Sequence, residues 1–396
     1  MWAALAPVGA SAGGGYDRFA WTPADRELRS WFRREAGRRG LDAGQDRNGN
    51  LWAWWGRPGP GSPGAVVTGS HLDSVPGGGA FDGPLGVVSG FLAIDCLREK
   101  GVRPARPVAV AAFADEEGAR FGVACAGSRL LTGALAPDVA ASLRDADGVS
   151  MAAAMAGCGV DPAGLGPGEE TLARIGCFVE LHIEQGRGLA DLGAPLAVAS
   201  GIWPHGRWRL TFRGEPNHAG TTPLAGRHDP MLPFAVTVLA ARRAAGRAGG
   251  HATVGRVSVQ PGGVNTVPGL VEAWLDARAP SSRALGALVT EVTGAARHAA
   301  GEHGVELRVS QESRSPGVTF SQALTGRVAA ALGGAPALAT AAGHDAGILA
   351  ARVPAAMIFV RNPTGASHCP AERAAEQDCL AGVRGLAAVL EELAAR

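Results

Sequence analysis

No charge of either sign predominates in this chain of 396 residues: 37 basic residues stand against 36 acidic ones, a formal net charge of +1. No run of Lys or Arg disturbs that balance, which excludes the electrostatic footprint of a nucleic-acid or anionic-membrane binder. Long apolar runs are missing too, because Gly, Pro or a charged residue interrupts each one well short of a bilayer span. The N-terminal MWAALAPVGASAGGGYDRF has neither a basic n-region nor a sustained apolar h-region, so a cytoplasmic protein is expected. Cysteine is sparse. Cys96, Cys125, Cys158, Cys177, Cys369 and Cys379 never adopt CxxC spacing and read as buried or surface thiols rather than a disulfide framework. Glycine is abundant, at 59 residues, but with the many Ala and Arg it reflects coding bias and carries no functional reading. Hydrophobic residues at 46% and charged residues at 18% describe an ordinary globular chain, long enough for two domains.

The hydrophobic pattern predicts an amphipathic helix over 25–39 and a buried strand over 65–71. A helix over 87–101 follows, then strands over 107–118, 176–186 and from 355. Apolar strands alternating with helices indicate an α/β fold, a mainly parallel sheet with flanking helices. Between about 198 and 315 the pattern changes to half-exposed strands in the order β-α-β-β-α-β, a split-βαβ arrangement. A small α+β domain, residues 200–315, is therefore expected as an insertion into a larger one, residues 1–199 and 316–396. Hinges are expected near Ala199–Gly201 and Ser313–Gly317. The Gly13–Gly15 and Pro58–Gly64 patches read as surface loops.

Four of the buried strands end in His, Asp or Glu, and in such sheets ligands bind beyond the carboxyl ends of the strands. Taken alone, His71 and Asp73 make a satisfied polar pair, and Asp82 after GGG a turn residue or helix cap. Asp115, Glu116 and Glu117 close the next strand, and like charges that close repel unless a cation or donor neutralises them. With His182 and His368 added, the set offers N and O ligands without a thiolate. That suits a hydrolytic site for Zn, Mn or a similar divalent ion, in which one carboxylate can bridge two metals.

SHLDSVPGGGAFDGPLGV, FADEEGARFG, ELHIEQG, GEPNHAGTTP, GHDA and SHCPAE together resemble the amidase/hydantoinase-carbamoylase branch of the M20 metallohydrolases, in order and over nearly the whole chain. The resemblance implies two divalent metal ions per subunit, Zn, Mn, Co or Ni. One would be held by His71 and His182 and the other by Glu117 and His368, with Asp82 bridging and Asp73 orienting His71. It makes Glu116 the general acid/base and His218 the group that stabilises the developing oxyanion. It also places Gln185, Asn265, Arg278 and His344 on the substrate, Asn265 and Arg278 gripping a carboxylate. The inserted domain becomes a lid and dimerisation domain of a homodimer, lending pocket residues to the partner subunit.

The implied activity is metal-dependent cleavage of a carbamoyl or ureido C–N bond in a small carboxylate-bearing substrate, an N-carbamoyl-L-amino acid or allantoate, with release of ammonia. The same metals would also serve an N-formyl or N-acyl amino-acid deacylase or a dipeptidase. No nucleic-acid or membrane partner is implied. The chain departs from the family pattern at GIWPHGRWR (201–209), at Cys369 after His368 and at Leu224 after TTP. Trp203, His205 and Arg207 thereby bear on the substrate pocket.

Overall fold

The computed structural model describes residues 1–59 and 63–395. The chain divides into two compact units, Met1–Ser200 with Thr319–Arg396, and Gly201–Val318. The strands, in chain order, are β1 (Asp42–Gln45), β2 (Leu51–Trp55), β3 (Ala65–His71), β4 (Val108–Phe113), β5 (Ile175–Ile183), β6 (Leu196–Ile202), β7 (His205–Arg213) and β8 (Asn217–His218). They continue with β9 (His251–Gln260), β10 (Thr266–Val267), β11 (Leu270–Arg278), β12 (Glu306–Ser315), β13 (Val318–Thr319), β14 (Ala337–Thr340) and β15 (Ala355–Val360).

A nine-stranded sheet runs β1-β2-β4-β3-β5-β15-β6-β13, with β14 beside β6. Only its centre is parallel: β4, β3, β5 and β15 pair in parallel, whereas β2 and β6 join that block antiparallel. The central strands AVVTGSH, VAVAAF and AAMIFV are buried throughout, as strands covered on both faces must be. The helix Pro84–Glu99 buries most of its length, and its Phe91 is fully enclosed with ring centroids 5.1 Å from Phe32 and 6.1 Å from Trp31.

In Gly201–Val318 a four-stranded antiparallel sheet, β12-β7-β11-β9, carries the helices Met231–Ala248 and Ser282–Glu302. Burial alternates strictly along β11, whose Val271, Ala273, Leu275 and Ala277 are buried. A separate two-stranded ribbon, β8-β10, extends past the Arg213–Leu270 end of the β7–β11 ladder.

One expectation needs correction. The strand expected over 107–118 stops at Phe113, because Asn50 takes the Ala114 N–H through its side chain and Asp115 turns to φ +54°. At the expected hinges the backbone is extended: β6 runs through Ala199–Gly201 to Ile202, and β12 continues to Ser315. Of the two glycine-rich patches, Gly13–Gly15 forms an exposed turn, while Pro58–Gly64 lies partly outside the described residues. Among the described residues no helix is long and apolar enough to cross a membrane.

Phe91→Ala would empty a dry site between two helices, at a cost of about 3–5 kcal/mol. The larger unit's urea-unfolding midpoint should fall accordingly, while tryptophan signals from the smaller unit stay put.

Candidate metal centre

His71 is the last residue of β3 and His182 the penultimate residue of β5, two strands that lie side by side in parallel. Each imidazole is locked by its own backbone surroundings. The His71 Nδ1 lies 3.1 Å from the Asp73 carbonyl and the His182 Nδ1 2.8 Å from the Ile183 carbonyl. Since a carbonyl only accepts, Nδ1 is the donor in both rings, which leaves Nε2 as the atom available to an ion. Both Nε2 atoms are buried without a hydrogen-bond partner among the described residues, and both face the same oxygen, Asp82 Oδ1, at 3.5 and 3.1 Å.

The other carboxylate oxygen, Asp82 Oδ2, sits 3.4 Å from the His368 Nε2, which in turn lies 3.5 Å from Glu117 Oε2. Two ligand groups result, His71-Asp82-His182 and Asp82-Glu117-His368, each with its donor atoms within 4.8 Å of one another. Asp82 belongs to both through different oxygens. A divalent ion between a ring Nε2 and the Asp82 carboxylate would take the place of an imidazole proton and bond to both. Bonds of about 2.0–2.1 Å to a tetrahedral ion put ligand atoms roughly 3.4 Å apart, which these spacings match. The donor set therefore fits two divalent ions of the N/O-binding class.

The electrostatics agree. Burial opposes a charge on His71, yet the carboxylates of Glu116, Asp73 and Asp82 outweigh it and lift its pKa well above the ordinary value. Burial likewise opposes ionisation of Asp82, but His182 and His71 hold its pKa well below the usual range. Glu117 is pushed up to about 8 by burial and by the Asp82 charge. The pocket thus holds more carboxyl groups than its own positive charge keeps ionised.

Backbone clamps hold these groups. The Asp73 carboxylate, 3.5 Å from the His71 Nδ1, accepts the N–H groups of Glu116 at 3.2 Å and Glu117 at 3.0 Å. Gly83, at φ +83°, lies so close to the His71 ring that a Cβ there would come within 2.5 Å of it. Glu116 is buried, with Oε2 3.8 Å from the His71 Nε2 and Oε1 accepting from the Cys125 thiol at 3.2 Å. Burial and the neighbouring carboxylates of Asp345, Glu117 and Asp73 push its pKa well up, against the pull of His71. Asp115, next in the triplet, enters neither ligand group.

Of the residues expected on the substrate, Gln185 donates to Asp82 Oδ2 at 2.8 Å, and buried His344 packs edge-on against His182 with centroids 4.5 Å apart. His218, Asn265 and Arg278 lie in the smaller unit. The exposed His218 accepts from Gly220 and Thr221 at Nδ1, which leaves Nε2 as its donor. The Asn265 carbonyl accepts the Ala219 N–H, so His218 and Asn265 are neighbours on the β8-β10 ribbon. Arg278 closes β11 at its opposite end, paired with Asp276 at 2.8 Å.

Residues 67–392 match the model of peptidase family M20/M25/M40. The chain belongs to that family. Family M20/M25/M40 relatives align over almost all of it. An N-carbamoyl-L-amino acid amidohydrolase of Geobacillus stearothermophilus is 38% identical, with 98% of this chain and 96% of the relative covered. The allantoate amidohydrolase of Escherichia coli K12 is 34% identical over the same shares. A hydantoinase/carbamoylase family amidase from Burkholderia multivorans superposes with a TM-score of 0.88 at 30% identity, covering 100% of this chain and 96% of that one. The protein is accordingly a hydrolase of amide C–N bonds, in a family whose members include dinuclear metal-binding enzymes.

Sequence reasoning assigned no part to Cys125, Glu180 or Glu372. Glu180 is buried beside His182 on β5 and accepts from Ser70 at 2.8 Å and from the Ala346 N–H at 2.9 Å. A carboxylate two residues before His182 in a largely apolar strand was its only signal.

Removing the Asp73 carboxylate (Asp73→Ala) frees the two amides of the Glu116–Glu117 turn. Metal retained after gel filtration should fall about 10- to 100-fold in affinity while far-UV circular dichroism is unchanged; wild-type retention would remove Asp73 from the centre.

Proposed function

We propose that the protein is a metal-dependent amidohydrolase that cleaves a carbamoyl or ureido C–N bond of a small carboxylate-bearing substrate, an N-carbamoyl-L-amino acid or allantoate, and releases ammonia. The observation that carries this reading is the buried carboxylate of Asp82, flanked on one oxygen by the His71 and His182 Nε2 atoms and on the other side by His368 and Glu117. The relatives named above support the substrate class.

His71, His182, Asp82, Glu117 and His368 hold the ions. Divalent ions bound there supply Lewis acidity toward the scissile carbonyl and acidify water. Glu116 is the proton carrier: its raised pKa suits a carboxylate that takes a proton from the attacking water and delivers it to the leaving nitrogen as the C–N bond breaks. His218 offers Nε2–H to the oxygen on which negative charge develops. Gln185 and His344 face the substrate, and Asn265 and Arg278 hold its carboxylate, the guanidinium as a planar fork.

That last pairing has a consequence for assembly. Arg278 lies at one end of β11, while Asn265 and His218 lie beyond the other end, at Leu270. Nine extended residues span roughly 26 Å, far more than one amino-acid-sized substrate. All three contact one substrate only if two chains contribute, so the active species is a homodimer with shared sites. The smaller unit supplies the dimerisation surface as well as the lid. Leu232 and Leu239 on helix Met231–Ala248 are exposed, as is Val257 on the neighbouring edge strand β9.

Two experiments check the reading. Metal-reconstituted protein should release ammonia from at least one of a panel of N-carbamoyl-L-amino acids, ureidopropionate and allantoate, and Glu116→Gln should keep its metal but lose turnover. Silence across the panel from metal-loaded wild type would move the assignment to N-formyl or N-acyl amino acids. Separately, Arg278→Ala and His218→Ala proteins, each inactive, should regain about a quarter of wild-type activity when co-refolded, because random pairing makes half the dimers mixed and each mixed dimer holds one intact site. No recovery would place all three residues in one chain's site.

A further inference from the structure

Glu372 lies four residues after His368, on a turn closed by its own N–H to the Cys369 carbonyl at 3.1 Å. Its side chain leaves that segment and enters the glycine-rich loop that carries Asp82. There Oε1 accepts two successive backbone N–H groups, Phe81 at 2.9 Å and Asp82 at 3.0 Å, across 290 residues of chain. The carboxylate is buried, and Oε2 has no hydrogen-bond partner among the described residues.

The loop is shaped to receive it. A Cβ on Gly79 would lie 2.2 Å from Glu372 Oε1, so any side chain there would expel the carboxylate. Without Glu372, two inward-facing N–H groups would lose their acceptor, at a cost comparable to a broken buried hydrogen bond each. The loop would then relax, and Asp82 is the residue it presents. Gln185 and Ser367 touch Asp82 only at Oδ2, at 2.8 and 3.4 Å, and leave its backbone unconstrained.

We propose that Glu372 is a positioning residue for the metal centre: it ties the segment bearing His368 to the loop bearing Asp82, so that the two ligands of the second ion reach their places together. This rests on the dinuclear reading of the site. The inference concerns order rather than chemistry, since Glu372 belongs to neither ligand group. The hydrogen-bond acceptor matters here, not the charge, and glutamine retains that acceptor.

The test is calorimetric titration of metal-free protein with Mn²⁺, with metal content measured after gel filtration. Wild type should take up two ions per chain. Glu372→Ala should bind the weaker ion about 10- to 100-fold less tightly, or lose it, while the metal-free circular dichroism stays as in wild type. Glu372→Gln should restore binding to within a few-fold, which a general loss of packing would not allow. Gly79→Ala reaches the same carboxylate from the opposite side. It should reproduce the defect, and the double variant Gly79→Ala/Glu372→Ala should be no worse than either alone. Two-ion binding of wild-type affinity by Glu372→Ala, or equal weakness in Glu372→Gln, overturns this inference alone. Absence of Mn²⁺ binding by wild type would instead overturn the metal centre, and this inference with it.

Discussion

One carboxylate bears the demands of the whole site. Asp82 is buried between two imidazoles whose Nδ1 atoms are committed to backbone carbonyls, so both rings turn Nε2 toward it. On its other oxygen it meets a third imidazole and a second carboxylate. Buried charge without a partner is among the costliest arrangements a protein can hold. A pair of cations at the proposed centre would give every one of these groups a partner. The clamps on the surrounding loops follow from this need, because ligands that repel one another must be held by something other than mutual attraction.

Those clamps act on backbone more than on side chains. Asp73 holds the amides of the Glu116–Glu117 turn, Glu372 those of Phe81 and Asp82, and Asn50 that of Ala114 at the end of β4. The same region contains left-handed backbone at residues other than glycine, with φ of +54° at Asp115 and +56° at both Cys125 and His368. Such conformations are disfavoured for L-residues and persist where surroundings over-determine them. Asp115 precedes the proposed proton carrier, Cys125 donates to it, and His368 is a proposed ligand. Strain and constraint thus lie where the geometry has least freedom.

The smaller unit obeys a different logic. Its sheet is antiparallel, its strands alternate buried and exposed residues, and its functional candidates are spread along it. His218 and Asn265 share a short ribbon, whereas Arg278 closes the far end of β11 and is oriented by Asp276, itself held low in pKa chiefly by its bonds to Arg278 against the effect of burial. A strand is rigid, so these groups have a fixed separation, and a small substrate cannot close it. The proposed sharing between chains would resolve the geometry without bending the strand.

The metal-ligand candidates were legible because charge at the end of an apolar strand breaks a simple pattern: AVVTGSH, VAVAAFADEE and CFVELH each run from buried aliphatics into His, Asp or Glu. Parallel strands point the same way, so their ends had to meet, and the structure brings His71, Asp82, Glu117, His182 and His368 into two groups sharing one carboxylate. What local pattern does not encode is who holds whom across the chain. Glu372 was visible in SHCPAE, but its partners lie in a loop 290 residues away, and a hydrogen bond to backbone leaves no complementary side chain to read. Cys125 looked like any buried thiol until the turn after β4 brought it 3.2 Å from Glu116. Asn265 and Arg278 are near in sequence, but the straightness of β11 sets them apart. Composition and periodicity determined which residues were out of place in an apolar chain; only tertiary structure decided their distances, because long-range packing, not sequence separation, sets where each strand end and loop comes to rest.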